Sequence, residues 1–440
     1  MLDDREPRSS ASLLERAYAV CASRRPDLEG CLPIVIERGD GAYVWDVDGN
    51  RYLDLIAGRG TLPLGHRFPA VDAAAVASIL DRGTTLCTTV SEPQVRLAER
   101  LVERFPCAER ALFFRTGSCA TTASVRLARV ATGRNVVLTS GYHGWHDWHL
   151  HIFPAFSRGG DRTHFDFGYN LNLLEELLER HRGDIACVIV TPEPNFYDDA
   201  YFQELESVVR REDVLLFFDE IVSGFRFARG GFQDYVGVVP DAATISKGMA
   251  NGYALSAVVG RADLLEARDA THVDGTYNRE LTPIAAAHAT LDTYDADDVL
   301  SHLWKVGELL LDGLNVLFRE FGVAARAVRC PPDFRVLFES DEVASAFYED
   351  CLRRGVLMHP LGEAIRLTYA HDRAEIETVL EVAREALGAT RSRLASGFEA
   401  DGGHVSEEAL ERATLALFGG VPDYRAPAGR MVQAATGVVR

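Results

Sequence analysis

The chain has 440 residues, of which 47% are hydrophobic and 25% charged, the balance of a soluble globular protein with room for more than one domain. Its net charge of −19, with no block of clustered Lys or Arg, excludes a general binder of nucleic acid or of an anionic membrane, either of which wants a basic face. The charged opening MLDDREPRSSASLLERAY has no apolar signal core and no apolar run approaches membrane-spanning length, so a cytoplasmic protein is expected.

In chain order, GAYVWDVDGNRYLDLI (41–56) reads as two strands around an Asp48-Gly49 turn. From about residue 76 short apolar runs alternate with helical stretches: ALFFRTG (111–117), NVVLTS (135–140), ACVIVTP (186–192), VLLFFDE (214–220), ATISKG (243–248) and SAVVGR (256–261). Continuous apolar strands separated by helices imply an α/β fold with a mainly parallel sheet covered on both faces. Ligands of such sheets lie beyond the carboxyl ends of the strands. Residues 297–320 have helical periodicity, and FRVLFES, ASAFYEDCLRRG, AIRLTYAH and DRAEIETVLEVAREALGA follow as a second, smaller α/β segment. The eight cysteines form no CxxC pair and none has a nearby His at zinc spacing; they read as buried thiols in a reducing compartment.

Four strand ends carry residues suited to one kind of ligand. Arg115-Thr116-Gly117-Ser118 joins a strand to a helix, offering N–H groups, hydroxyls and a helix dipole to a phosphate, although hydroxyl N-caps also serve stability alone. Tyr142-His143-Gly144 puts an aromatic side chain where it can stack on a flat ring or pack in the core. Asp219 ends an apolar run, where a buried carboxylate needs a cation or several donors. A structural salt bridge would satisfy it; a magnesium-holding nucleotide hydrolase would too, but neither lysine completes the G-x-x-x-x-G-K-[ST] loop which that reading requires. The fourth is Lys247 in ISKGMANGYALSA (245–257). All but two of the 46 basic residues are arginine, the exceptions being Lys247 and Lys305, so a lysine among small residues points to its amine rather than its charge. Phosphate cradle, aromatic platform, buried aspartate and amine together match pyridoxal 5′-phosphate (PLP).

The chain resembles the class III aminotransferases of PLP fold type I, and within them the glutamate-1-semialdehyde 2,1-aminomutase-like members. The resemblance covers about residues 30–390 and rests on GAYVWDVDGNRYLDLI, LGHRFPAV, RLARVATGRN, YHGWHD, FFDEIVSGFR, GFQDYVGVVPD, ISKGMANGY and GTYNRE. It implies a large PLP-binding domain over 76–295. A smaller domain would be built from 1–75 and 296–395, and 396–440 would be an extension. It implies that Lys247 forms the Schiff base and shuttles the α-proton, while Asp219 keeps the pyridine nitrogen protonated. Thr116, Gly117 and Ser118 would hold the phosphate, Ile221 and Tyr142 would pack on the two ring faces with His143 beside them, and Asn195 would reach the phenolic oxygen. Thr276 resembles the threonine that reaches the phosphate of the neighbouring subunit's cofactor, which implies a homodimer.

Departures lie at the rim. Cys119 and Thr191 stand where relatives have glutamate, the residues after Thr276 run Arg279-Glu280-Leu281-Thr282-Pro283, and Arg59-Gly60 replaces an aromatic-Gly pair. The added arginines make Arg59 and Arg115 candidate binders of an anionic substrate group, against a background of arginine bias throughout. The expected activity is amino-group transfer, or an aminomutase variant of it, between a small amino donor and keto acceptor, one of them with a carboxylate. PLP-dependent decarboxylation or carbon–carbon cleavage and a non-catalytic binding protein are the alternatives.

Overall fold

The computed structural model describes residues 9–20, 33–86, 89–149, 163–358, 364–394 and 405–406. These form two compact units, one of residues up to Phe68 together with those from Ser301 onward, the other of Pro69–Leu300. The first boundary falls before 75 because helix Pro69–Arg82 packs on helix Leu281–Ala296 of the larger unit. The extension 396–440 lies outside the described residues apart from 405–406.

In the smaller unit β1 (Ile36–Asp40), β2 (Tyr43–Asp46) and β3 (Arg51–Asp54) form an antiparallel meander, with the Asp48-Gly49 turn where the sequence puts it and Gly49 at φ +88°. The larger unit contains β4 (Arg110–Phe114), β5 (Val136–Ser140), β6 (His164–Asp166), β7 (Ile185–Val190), β8 (Leu215–Glu220), β9 (Ala242–Ile245) and β10 (Ser256–Gly260). Their order is β4-β10-β9-β8-β7-β5-β6. The pairs from β9 through β8, β7 and β5 to β6 are parallel, whereas β10 is antiparallel to both β4 and β9. Helix Gly117–Thr132 lays Ala120, Ala123, Leu127 and Ala128 against Val137, Ile189, Phe217 and Val258 of the sheet. Burial of each large side chain there, Phe217 for instance, contributes about 2–3 kcal/mol.

The smaller unit continues with helix Val299–Phe321, β11 (Ala325–Val328), β12 (Asp333–Phe338), helix Asp341–Arg353, β13 (Val356–Leu357), β14 (Ile365–Arg366) and helix Arg373–Arg393. β13 pairs in parallel with β3. The last helix starts on a capping box between Asp372 and Glu375. No described helix is long and apolar enough to cross a membrane. Of the described cysteines, Cys107, Cys187, Cys330 and Cys351 are buried free thiols, but Cys119 is only half-buried, since it stands in the first turn of its helix at the sheet edge.

Candidate active site

The carboxyl end of β8 carries two acids, and strand alternation sends them to opposite faces. Glu220 turns toward helix Gly231–Val236, accepting from the Phe232 and Gln233 backbone N–H groups and from Gln233 Nε2 at 2.8 Å; burial pushes its carboxyl up to about 7. Asp219 is 2% exposed. Its Oδ2 accepts from His143 Nδ1 at 2.8 Å, and its Oδ1 accepts from Thr244 Oγ1 at 3.0 Å and from the Ile221 N–H at 3.2 Å. Three donors fill three of the roughly four acceptor positions of a carboxylate, leaving capacity for one more.

His143 is buried, and its Nε2 has no hydrogen-bond partner among the described residues. Its ring stacks on Trp148 at 6.2 Å between centroids. Thr191, at the end of β7, donates from Oγ1 to Tyr142 O at 3.1 Å and lies 3.3 Å from His143 Nδ1, so one hydroxyl fixes both members of the Tyr142-His143 pair. Tyr142 keeps 51% of its surface exposed, leaving an aromatic side chain that a flat ligand can meet.

At the end of β4, Thr116 caps helix Gly117–Thr132, its Oγ1 accepting from the Cys119 N–H at 3.3 Å. The helix directs its first N–H groups and dipole at the sheet edge, an arrangement suited to an anion. A Cβ on Gly117 would fall 2.5 Å from Ile221 Cδ1, which brings the start of this helix against the residue two beyond Asp219. The end of β5 closes in as well. A Cβ on Gly144 would meet Ser118 Oγ at 2.3 Å and Ser118 Cα at 2.8 Å, and Gly144 has φ +99°. Gly144→Ala is therefore expected to lower stability by about 3 kcal/mol, combining left-handed strain with overpacking. Gly133→Ala, at φ +66° in open space, is the control that carries the strain alone. Denaturant melts that separate the two by under about 1 kcal/mol would show Ser118 giving way rather than being held.

Lys247 follows β9 after one residue, Ser246, and opens the turn Lys247–Ala250; it is half-buried and has φ +43°. A side-chain-bearing residue in the left-handed region costs about 1–3 kcal/mol and persists only where its surroundings impose it. Ser246 Oγ donates to Leu255 O at 2.7 Å, and Ser256 Oγ donates to Thr116 O at 2.7 Å, tying the lysine turn through β10 to the helix start at Thr116.

Thr116, Gly117, Ser118, Tyr142, His143, Asp219, Ile221 and Lys247 thus occupy the carboxyl ends of β4, β5, β8 and β9. Asn195 is buried in the loop that leaves β7. Thr276 is exposed in the turn Thr276–Arg279, and that turn leads to Glu280, whose Oε2 lies 2.7 Å from Arg115 Nη1. Arg59 belongs to the smaller unit, in the distorted turn Ala57–Gly60 with φ +57°. Sequence reasoning did not single out Thr244, Ser256 or Glu280. Thr244 has a usable signal, a hydroxyl in an otherwise apolar buried strand; the pairing of Glu280 with Arg115 has none.

One edge offers a glycine-lined helix start for a phosphate, a Tyr and an Ile for the faces of a ring, a buried carboxylate with one acceptor position left, and a lysine on a strained turn. That donor set fits pyridoxal 5′-phosphate, and the sheet order with its single reversed strand defines a PLP enzyme of fold type I. The Aminotransferase class-III family model matches residues 26–152 and 167–387, and the chain belongs to that family. A 2′-deamino-2′-hydroxyneamine transaminase of Streptomyces kanamyceticus is 42% identical over 381 residues, covering 86% of this chain and 97% of that protein. A glutamate-1-semialdehyde 2,1-aminomutase of Methanothermobacter thermautotrophicus is 31% identical over 398 residues, covering 82% of this chain and 93% of its own length. Among solved structures, the FumI protein of Sphingopyxis sp. MTA144 in its PLP internal aldimine form matches with a TM-score of 0.80 at 27% identity, over 90% of this chain and 99% of that one. The chain is a PLP-dependent aminotransferase, and its reaction is amino-group transfer.

Proposed function

We propose that this enzyme moves an amino group between a carboxylate-bearing amino donor and a small, hydroxyl-rich keto acceptor that already carries amines. The observation that carries the transfer reading is the Asp219 carboxylate, buried and held by His143 and Thr244 on the strand beside the lysine turn. The acceptor class is supported by the Streptomyces relative, whose substrate name includes both hydroxyl and amine, and by the net charge of −19, which favours approach of a cation.

In the proposed assignment, Lys247 Nζ is the covalent anchor for the cofactor and the base that removes the proton from the donor α-carbon. Asp219 holds a proton on the ring nitrogen, with His143 fixing the carboxylate. Thr116, Gly117 and Ser118 bind the phosphate, Tyr142 and Ile221 bracket the ring, and Asn195 donates near its oxygen. Bound PLP supplies an aldehyde and an electron-withdrawing ring, and the protein contributes position and proton control. Thr276 completes the phosphate site of a second copy, which makes the working form a homodimer acting in the cytoplasm. The exposed Val76, Leu80 and Val90 of the larger unit support a subunit contact. Light scattering that returned a fully active monomer would remove the dimer from this reading.

Arg59 takes the donor carboxylate in this proposal. The test is a matrix of amino-acid donors against hydroxylated amino-ketone and simple keto-acid acceptors, followed by keto-acid production, with Arg59→Ala run alongside. Transfer to the hydroxylated acceptors with a KM for the donor raised about tenfold in Arg59→Ala is expected. Transfer confined to simple keto acids would discard the acceptor class, and an unmoved KM would discard the Arg59 role.

A further inference from the structure

We propose that Arg115 and Glu280 act together as positioning residues for the cofactor's phosphate end. Their ion pair holds the turn bearing Thr276 to the strand end bearing Thr116-Gly117-Ser118. The proposal rests on the assignment of those residues to phosphate binding.

Arg115 is the residue between β4 and the N-cap Thr116, so its backbone leads straight into the helix start. Its Nη1 atom is buried and lies 2.7 Å from Glu280 Oε2 as an ion pair outside hydrogen-bond alignment, while the two side chains are only 28% and 23% exposed. Glu280 in turn stands at the N-terminal boundary of helix Leu281–Ala296, without a side-chain capping bond, and closes the turn Thr276–Arg279, donating its backbone N–H to Tyr277 O. The same segment is anchored twice more on its other side. Glu280 bridges to Thr85 in an antiparallel pairing, and the Leu281 N–H donates to Thr84 O at 2.7 Å. Within the loop, Asp274 accepts from the Gly275 N–H at 2.8 Å and pairs with Arg279 at 3.3 Å, so the stretch from Asp274 to Glu280 is internally braced. The start of the loop is held separately, by Arg126 Nη1 donating to His272 O at 2.8 Å and by Val273 packed on the core of the larger unit. The Arg115–Glu280 pair holds its far end, at the residue adjoining the phosphate cradle.

The charge arithmetic separates this role from substrate binding. An arginine that receives a substrate carboxylate is best left with an open fork, because a resident carboxylate must first be displaced and left unpaired. Arg115 already has its carboxylate, at short distance and partly out of water. Breaking the pair from either side should therefore loosen the same two things, the cradle of its own chain and the Thr276 turn that serves the second copy's phosphate, so in a homodimer each phosphate end feels both changes and the substrate neither.

The experiment is a titration of cofactor-free protein with PLP, followed by visible absorbance, on wild type, Arg115→Ala, Glu280→Ala and the double exchange Arg115→Glu with Glu280→Arg. Each single variant is expected to bind PLP about fivefold more weakly, by a similar factor in both, as for a partly exposed ion pair. The exchange should bind within about twofold of wild type, and donor KM at saturating PLP should be unchanged in both single variants. Should a truncation fail to fold, Arg115→Lys or Glu280→Gln is read in its place. Single variants that bind PLP as wild type does would overturn the proposal. So would an exchange as weak as the singles, or a donor KM raised by Arg115→Ala but not by Glu280→Ala, which would return Arg115 to substrate binding. Wild type that takes up no PLP would instead sink the assignment on which the proposal rests.

Discussion

Lys247→Ala is expected to reduce amino transfer roughly 10⁴-fold or more, because the proposed assignment gives one nitrogen the tasks of both covalent anchor and proton carrier. The surroundings explain why that nitrogen suits both tasks. Lys247 stands on a turn with φ +43°, beside buried Gly248, Met249 and Ala250, at the end of the strand that pairs with the one carrying Asp219. Lys247→Arg should be as inactive, since it restores the charge and not the nucleophile. Adding PLP to wild type should give a yellow protein that bleaches on borohydride reduction, with the label on the Lys247 peptide. Lys305 is the internal control, as the only other lysine and a residue of helix Val299–Phe321 in the other unit. A label on Lys305, or a Lys247→Ala protein retaining more than a hundredth of the activity, would end the assignment.

The second large effect concerns Asp219→Asn. The amide keeps the shape of the carboxylate, and its one oxygen can still accept from Thr244 Oγ1 and the Ile221 N–H, while its NH2 faces His143 Nδ1 and needs the other imidazole tautomer to accept from it, so the fold should survive with a loss of about 2 kcal/mol. Its missing charge is a different matter. A neutral amide cannot hold a proton on the ring nitrogen, and kcat should fall about 10³-fold while PLP still binds. His143→Ala, which removes the partner rather than the charge, should fall between wild type and Asp219→Asn. Single-turnover rates within about tenfold of wild type in Asp219→Asn would mean that the aspartate is structural.

Much of this site is legible in the sequence because its members stand at the ends of apolar runs, where a strand must stop and a side chain must face the sheet edge. Asp219 after VLLFF and Lys247 after AATIS were recoverable for that reason. The lysine was conspicuous only because arginine fills nearly every other basic position. The direction of β10 was not legible. SAVVG is buried on both faces whichever way it runs, so no periodicity records that it opposes its neighbours. β6 escaped notice because three residues, His164–Asp166, are too few to show a pattern. AIRLTYAH reads as a full strand, yet only Ile365 and Arg366 pair, since β12 offers β14 a register of just two residues. The Arg115–Glu280 pair joins positions far apart in the chain whose local patterns say nothing of each other. Spacing finds what a strand end presents; it does not find which distant loop is fastened there.

The reversed strand bears on how such an enzyme changes its substrates over time. Because β10 runs against its neighbours, its first residue and not its last reaches the working edge, and Ser256 there grips the carbonyl of Thr116 while Ser246 grips that of Leu255. The span from Lys247 to Ser256 therefore acts as a gauge block, setting the separation between the lysine turn and the helix start at Thr116 to a fixed molecular length. Lineages and laboratory libraries that widen the substrate range should find tolerated variation at Cys119, whose side chain has no part in the proposed assignment. Insertions of a single residue within that span should be purged, because they alter the length against which the cofactor is measured.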